Sequence, residues 1–212
     1  RKEVLLCAGA LQSPQLLQLS GIGPREVLEP HGIQVLHDLP GVGRNLQDHL
    51  QIRVMFKCTK PITTNDQLRT LWSQAIIGMK WAFLRKGPLA VGIQQGCMFA
   101  KTRPEEKTPD VQFHFGTLSA DMTAGKPHNF PGFTMSVCQL RPTSRGELRI
   151  RSSNPKDAPW IEPNYLDTEE DRQTMVRGFK MARKLAASQA MSGYIAAEYN
   201  PGSAVQTDEE ML

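Results

Sequence analysis

Apolar positions follow three rhythms along this chain, and each predicts a different kind of element. The first is a continuous run, Val4-Leu5-Leu6-Cys7, leading into Ala8 and Gly9. An unbroken apolar run predicts a parallel strand covered on both faces, and such a strand needs neighbours. A helix should follow. Ser13 is a good N-cap, Pro14 fits the first helical position, Leu16, Leu17 and Leu19 supply apolar contacts, and Gly21 ends the element. Residues 1–50 thus predict α/β material.

From Ile52 the rhythm changes to period two. Ile52, Val54 and Phe56 alternate with Arg53 and Lys57, and alternation recurs in VQFHF from Val111, in Phe133, Met135 and Val137, and in ELRIR from Glu147. These segments predict an antiparallel sheet with one polar face. Two helical rhythms interrupt it. Leu68, Leu71, Trp72, Ala75, Ile76 and Met79 mark a helix over 68–84, whose stripe reads as core-facing, the commoner case, or as a face lying on a membrane. Met175, Val176, Phe179, Ala182 and Leu185 mark a second helix over 169–187, capped by Asp167 or Thr168. Thr207 and Glu210 have the spacing of a capping box. The missing initial Met, the strand-like opening and a helix start at the far end predict a piece of a longer chain.

Composition narrows the classes. With 40% hydrophobic and 22% charged residues in 212, the chain has material for a sizeable core and is not a disordered segment. The net charge of +4 is spread among interleaved acids and bases, so the electrostatic footprint of a nucleic-acid binder is missing. Cys7, Cys58, Cys97 and Cys138 stand far apart without a C-x-x-C pair, which argues against a zinc site or a disulfide framework. Free thiols suit a reducing compartment, and the location expected is cytoplasmic or peripheral to an inner membrane.

No short motif carries chemistry unaided. Gly21-Ile22-Gly23 and Gly41-Val42-Gly43 begin like a dinucleotide fingerprint, but Glu26 and Leu46 occupy the third glycine position and neither motif follows a strand, so both read as turns. The histidines at 31, 37, 49, 114 and 128 lack metal-ligand spacing. Ser13 has no nucleophile elbow around it. One place is chemically suggestive: the amides leading from Ala8 and Gly9 into the Ser13 helix can approach a phosphate-bearing ligand.

The stretch GALQSPQLLQLSGIG from Gly9 to Gly23 resembles, position by position, the second signature of the glucose-methanol-choline (GMC) oxidoreductases. The resemblance continues through LPGVG from Leu39, NLQDH from Asn45 to His49, PDVQFHF from Pro109, and RPTSRGELRIRSSNP from Arg141 onward to Leu166. It implies an α/β plus α+β fold. Residues 1–50 would be the tail of a Rossmann-like FAD-binding domain, and 51–212 a substrate domain with an antiparallel sheet flanked by helices. The implied chemistry is FAD-dependent oxidation of a small-molecule alcohol, with oxygen or a quinone-type carrier taking the electrons. The family's catalytic histidine segment and its glycine-rich loop are not among these residues, so no catalytic residue carries over. The fragment alone would be inactive and prone to self-association, and membrane association stays open.

By the same resemblance Ala8, Gly9, Ala10 and Ser13 lie near the cofactor, and so do Asn45, Asp48 and His49, unless those three form a rigid polar turn. In choline-type members a glutamate precedes the phenylalanine of the run that here reads GPLAVGIQQGCMF. Aligned on Phe99, Gln95 takes that place, or Gln94 if the alignment slips by one. A neutral amide cannot compensate a buried trimethylammonium, so an uncharged primary alcohol or polyol is expected as substrate. The rival reading is an independent, non-catalytic α+β binding or scaffold module.

Overall fold

The computed structural model describes residues 2–121, 123 and 125–212. In chain order the elements are α1 (Gly9–Leu19), β1 (Ile22–Gly23), α2 (Arg25–Leu28), β2 (His37–Asp38), β3 (Gln51–Cys58), α3 (Thr64–Gln67), α4 (Leu71–Leu84), β4 (Gln94–Ala100) and β5 (Val111–Gly116). There follow β6 (Ala120–Asp121), β7 (Lys126–Pro127), β8 (Gly132–Gln139), β9 (Glu147–Arg149), β10 (Trp160–Glu162), α5 (Glu169–Ala186), α6 (Gln189–Ser192) and β11 (Ile195–Asn200). The chain divides into two compact units, Arg1–Asp48 with Pro142–Glu169, and His49–Arg141 with Glu170–Leu212. Sequence reading draws one boundary near residue 50; the structure returns the segment from Pro142 to the first unit.

In the first unit α1 is the centre. Its Gln18 is fully buried, donates to the Val42 and Leu148 carbonyls at 3.3 and 3.2 Å, and accepts from the Ile150 amide at 2.8 Å. One polar side chain thereby ties the helix to the 41–43 turn and to β9. Gly43 lies so close to β9 that a Cβ there would meet the Leu148 carbonyl oxygen at 2.1 Å, at a φ of +85°, which only glycine accepts without strain. This is why 142–169 belongs with the first unit. The ELRIR strand, expected in the large sheet, pairs instead with β10, Leu148 opposite Ile161. Ile22–Gly23, read as a turn, forms a short parallel pair with His37–Asp38, whereas Gly41–Gly43 is the turn expected.

Two further expectations fail here. Residues 3–6 form no strand, and Val4 is 91% exposed; an apolar run becomes a strand only against partner strands, and among the described residues none pairs with it. Helix α1 begins at Gly9 rather than at Ser13, because the Ser13 hydroxyl caps backward, accepting from the Ala8 amide at 3.2 Å. Pro14 is therefore inside the helix. Gly21, at φ +78°, ends it as expected.

The second unit is a five-stranded antiparallel sheet in the order β11-β3-β8-β5-β4. Ile52, Val54 and Phe56 stand opposite Val137, Met135 and Phe133, and Phe113 and Phe115 continue the rows. Onto this face packs α5 through Phe179, Ala182 and Ala186, so the inward stripe of the second helix is realised. Gly178 lets the helix approach: a Cβ there would meet Val137 Cγ1 at 2.6 Å. Along the central strand β8 both faces are buried, because Thr134 donates to the Leu118 carbonyl at 2.8 Å and the 117–121 segment lies over it. The polar face expected from alternation is thus covered at its centre.

The helix expected over 68–84 is present as α4, starting at Leu71, and a separate short helix, α3, precedes it. Thr63 and Asp66 make one capping box and Thr70 with Ser73 another, so the chain stops at Gln67 and restarts at Leu71. Of α4 only Ile77 is buried; Leu71, Trp72 and Phe83 are 83%, 73% and 83% exposed. The core-facing stripe does not exist in this structure. The Thr207–Glu210 capping box does, with hydrogen bonds of 2.9 and 3.2 Å, and the Thr207 and Gln206 backbone amides hold the Glu210 carboxyl below its usual value.

Candidate functional site

Two places gather the residues singled out by sequence. In the first unit a cleft of about 360 Å³ opens beside α1, and its wall includes Ala10, Pro14, Arg44, Asn45 and Gln47. Asn45 holds a left-handed φ of +63°, a conformation Asn adopts more readily than most residues. Pro14 has no N–H to close the Ala10 carbonyl, and the first amides of α1 have no acceptor within the helix. Arg44 pairs with Glu147 at 3.0 Å. The side-chain amides of Asn45 and Gln47 and the Arg44 guanidinium make a donor set suited to phosphate and hydroxyl groups.

Of the predicted residues, Ala10 and Asn45 share this cleft. Ala8 and Ser13 are hydrogen-bonded to each other, and Gly9 opens the helix at φ +82°. Asp48 accepts a hydrogen bond from the Tyr165 hydroxyl. That bond, with partial burial and the carboxylate's charge, pushes the Tyr165 phenol up to about 12. Tyr165 had no signal of its own in the sequence, since its partner lies 117 positions away. His49 falls in the second unit and is exposed.

In the second unit the sheet face opposite α5 floors a cavity of about 460 Å³. Two cross-strand rows form the floor: Met55, Thr134, Gly116 and Gln94, then Arg53 and Ser136. Gly116 keeps the first row low, since a Cβ there would meet the Ile93 carbonyl oxygen at 3.0 Å. Ser136 is fully buried and its hydroxyl finds no hydrogen-bond partner. Arg53 and Asp121 put one charge of each sign in the lining. Gln95 sits at a bulge on the edge strand, where the register jumps between Gln94 opposite Gly116 and Gly96 opposite Phe115. Gln94 lines the cavity and Gln95 stands exposed beside it. Ser136 and Thr134 were legible as the polar partners of Phe133, Met135 and Val137, but alternation alone presents them as solvent-facing.

Among the described residues no cluster of His, Cys, Asp or Glu suits a metal ion, all four cysteines are free thiols, and no helix is long and apolar enough to cross a membrane.

Comparison with known proteins agrees with this architecture. Two family profiles described as GMC oxidoreductase match residues 1–51 and 142–212. An oxygen-dependent choline dehydrogenase of Pseudomonas putida is 40% identical over 211 residues, 100% of this chain and 37% of that protein. One from Photobacterium profundum is 42% identical over 209 residues, again covering 37% of the relative. This chain therefore spans little more than a third of the length of these curated relatives. Among solved structures, a pyridoxine 4-oxidase from Mesorbium loti aligns with a TM-score of 0.77 at 27% identity, over 97% of this chain and 36% of that one. The profiles cover both ends of the chain, the relatives run its whole length, and the fold agrees: the chain belongs to the GMC oxidoreductase family.

Proposed function

We propose that the full-length protein oxidises an uncharged primary alcohol or polyol to the carbonyl, with FAD as hydride acceptor. The observation that carries this is the Ser136 hydroxyl, buried and unpartnered on the floor of a cavity large enough for a small alcohol. An unpaired buried hydroxyl is costly, and an alcohol oxygen that displaces the side chains over it would satisfy it. The lining favours a neutral ligand: Arg53 and Asp121 cancel, so no net negative potential awaits a permanent cation. Gln94 and Gln95 offer amides where a choline binder needs a carboxylate or an aromatic face. On this point the reading departs from the substrate named for the Pseudomonas relative.

FAD, when bound, would supply the acceptor for the hydride of the carbinol carbon; no residue of this chain is assigned as the base for the hydroxyl proton. Ala10, Arg44, Asn45 and Gln47, with the first amides of α1, would hold its phosphate and ribose part. Ala8, Gly9 and Ser13 would fix the start of that helix, and Tyr165 would hold Asp48 at the end of the unit. Ser136 would orient the alcohol oxygen, and Gln94 and Gln95 would select against charge. The final electron acceptor would be oxygen, as named for the choline-dehydrogenase relatives, or a quinone-type carrier.

Steady-state kinetics of the full-length protein with an artificial acceptor test the reading. Neutral primary alcohols should show higher kcat/KM than choline. Ser136→Ala should lower kcat/KM for them by about tenfold, the worth of one hydrogen bond to a buried group. Gln95→Glu should shift preference toward choline. Choline as the better substrate of the unaltered protein would overturn it.

A further inference from the structure

The connection from β5 to β8 is far longer than neighbouring antiparallel strands need, about two to five residues in most hairpins. It leaves β5 at Thr117, folds into the β6–β7 hairpin with Ala120 opposite Pro127 and Asp121 opposite Lys126, and re-enters the sheet at Gly132. From this excursion Leu118, Ala120, Asp121, Gly125 and Pro127 form a wall of the Ser136 cavity. Helix α3 holds the base of that wall. Asn65 is 2% exposed and makes three hydrogen bonds, all to backbone: its Oδ1 accepts from the Ser119 amide at 2.9 Å, and its Nδ2 donates to the Ser119 and His128 carbonyls at 2.7 and 3.0 Å. One side chain thereby fixes both the outgoing and the returning limb. Its neighbours extend the grip. The Thr64 amide donates to the Thr117 carbonyl at 2.8 Å, and the Thr63 hydroxyl accepts from the Gly132 amide at 3.2 Å. Asn65 itself does not line the cavity.

We propose that Asn65 is a positioning residue for the substrate: by holding Ser119 and His128 it sets where the β6–β7 wall stands over the sheet floor, and so which alcohols the cavity admits. This rests on the reading of that cavity as the alcohol site. A carboxylate of the same shape cannot do the work of this amide. Asn65→Asp keeps an acceptor for the Ser119 amide but sets its second oxygen against two carbonyls that have lost their donor. The wall should then recede from α3, while the floor stays in place through the ladders of β8 with β3 and β5.

Hydrogen exchange and kinetics of the full-length protein test this together. In Asn65→Asp, amides of residues 118–128 should exchange about tenfold or more faster, with β3 and β8 unchanged. With an artificial acceptor, KM for a short neutral primary alcohol should rise about tenfold while kcat changes by less than about twofold, and preference should shift toward longer straight-chain alcohols. A general loss of stability would instead lower kcat for every alcohol alike and leave that preference unmoved. Thr64→Val, which removes only the hydroxyl bond of 2.8 Å between Thr64 and Thr117, should shift preference in the same direction by about twofold, and it serves if the Asp variant does not fold. Unchanged exchange in 118–128, or faster exchange with unchanged KM and preference, overturns the inference. If Ser136→Ala still lowers kcat/KM in that case, the role of Asn65 falls alone; if Ser136→Ala is silent as well, the cavity is not the substrate site and both fall.

Discussion

Helices α4 and α5 lie in the same unit and both carry large apolar side chains, yet one is bare and the other is the wall of the core. The difference lies in contrast along the sequence. α5 alternates its apolar residues with Glu169, Glu170, Arg172, Arg177, Lys180 and Lys184, so it has a wet side and a dry side, and the dry side finds the sheet. α4 has no acidic residue and a single cation before its cap, and it commits no side to the sheet; only Ile77 is covered. Apolar content thus says that a helix needs cover. Only asymmetry says where.

The largest effect should come from paired phenylalanine truncations. Phe179→Ala removes a side chain that is 1% exposed in the α5–sheet core and should cost about 3 to 5 kcal/mol. Phe83→Ala removes one that is 83% exposed and should change unfolding stability by less than about 0.5 kcal/mol. Denaturant unfolding of the two variants gives the comparison. Equal losses would mean that α4 is packed by protein, and would break it.

Glycines sharpen it further, because one substitution should act with opposite signs. Gly178→Ala drives a methyl to 2.6 Å from Val137 Cγ1, an overpacking that outweighs the gain in helix propensity and should cost about 1 to 2 kcal/mol. At Gly78 nothing lies within 4 Å of the added methyl, so Gly78→Ala should stabilise by about 0.5 to 1 kcal/mol. Thermal midpoints should move in opposite directions. A fall at Gly78 would show that another protein surface covers α4.

How far sequence reached follows the same logic. The sheet strands and α5 were legible because alternation and a one-sided stripe encode a single buried face: Ile52, Val54, Phe56 and Phe179 stand where their rhythm put them. The apolar run at Val4 and the stripe on α4 were misread because both signals specify the need for cover and not its presence. ELRIR was assigned to the wrong sheet because its partners, Gly43 and the Trp160 strand, are fixed by long-range hydrogen bonds that period two does not encode. Of the candidate site residues, Ala10 and Asn45, expected from the family resemblance, line one cleft. Ser136 was passed over, since a serine alternating with hydrophobic residues looks solvated until the loop that buries it is placed.

We propose that the full-length protein oxidises an uncharged alcohol bound in the cavity floored by Ser136. Mixing the full-length flavoprotein with substrate in the absence of oxygen, and following loss of the oxidised-flavin absorbance, tests it most directly. The account predicts rapid bleaching by a neutral primary alcohol, slower bleaching by choline at equal concentration, and about tenfold slowing for the neutral alcohol in Ser136→Ala. Bleaching faster with choline, or at an unchanged rate in Ser136→Ala, would contradict it.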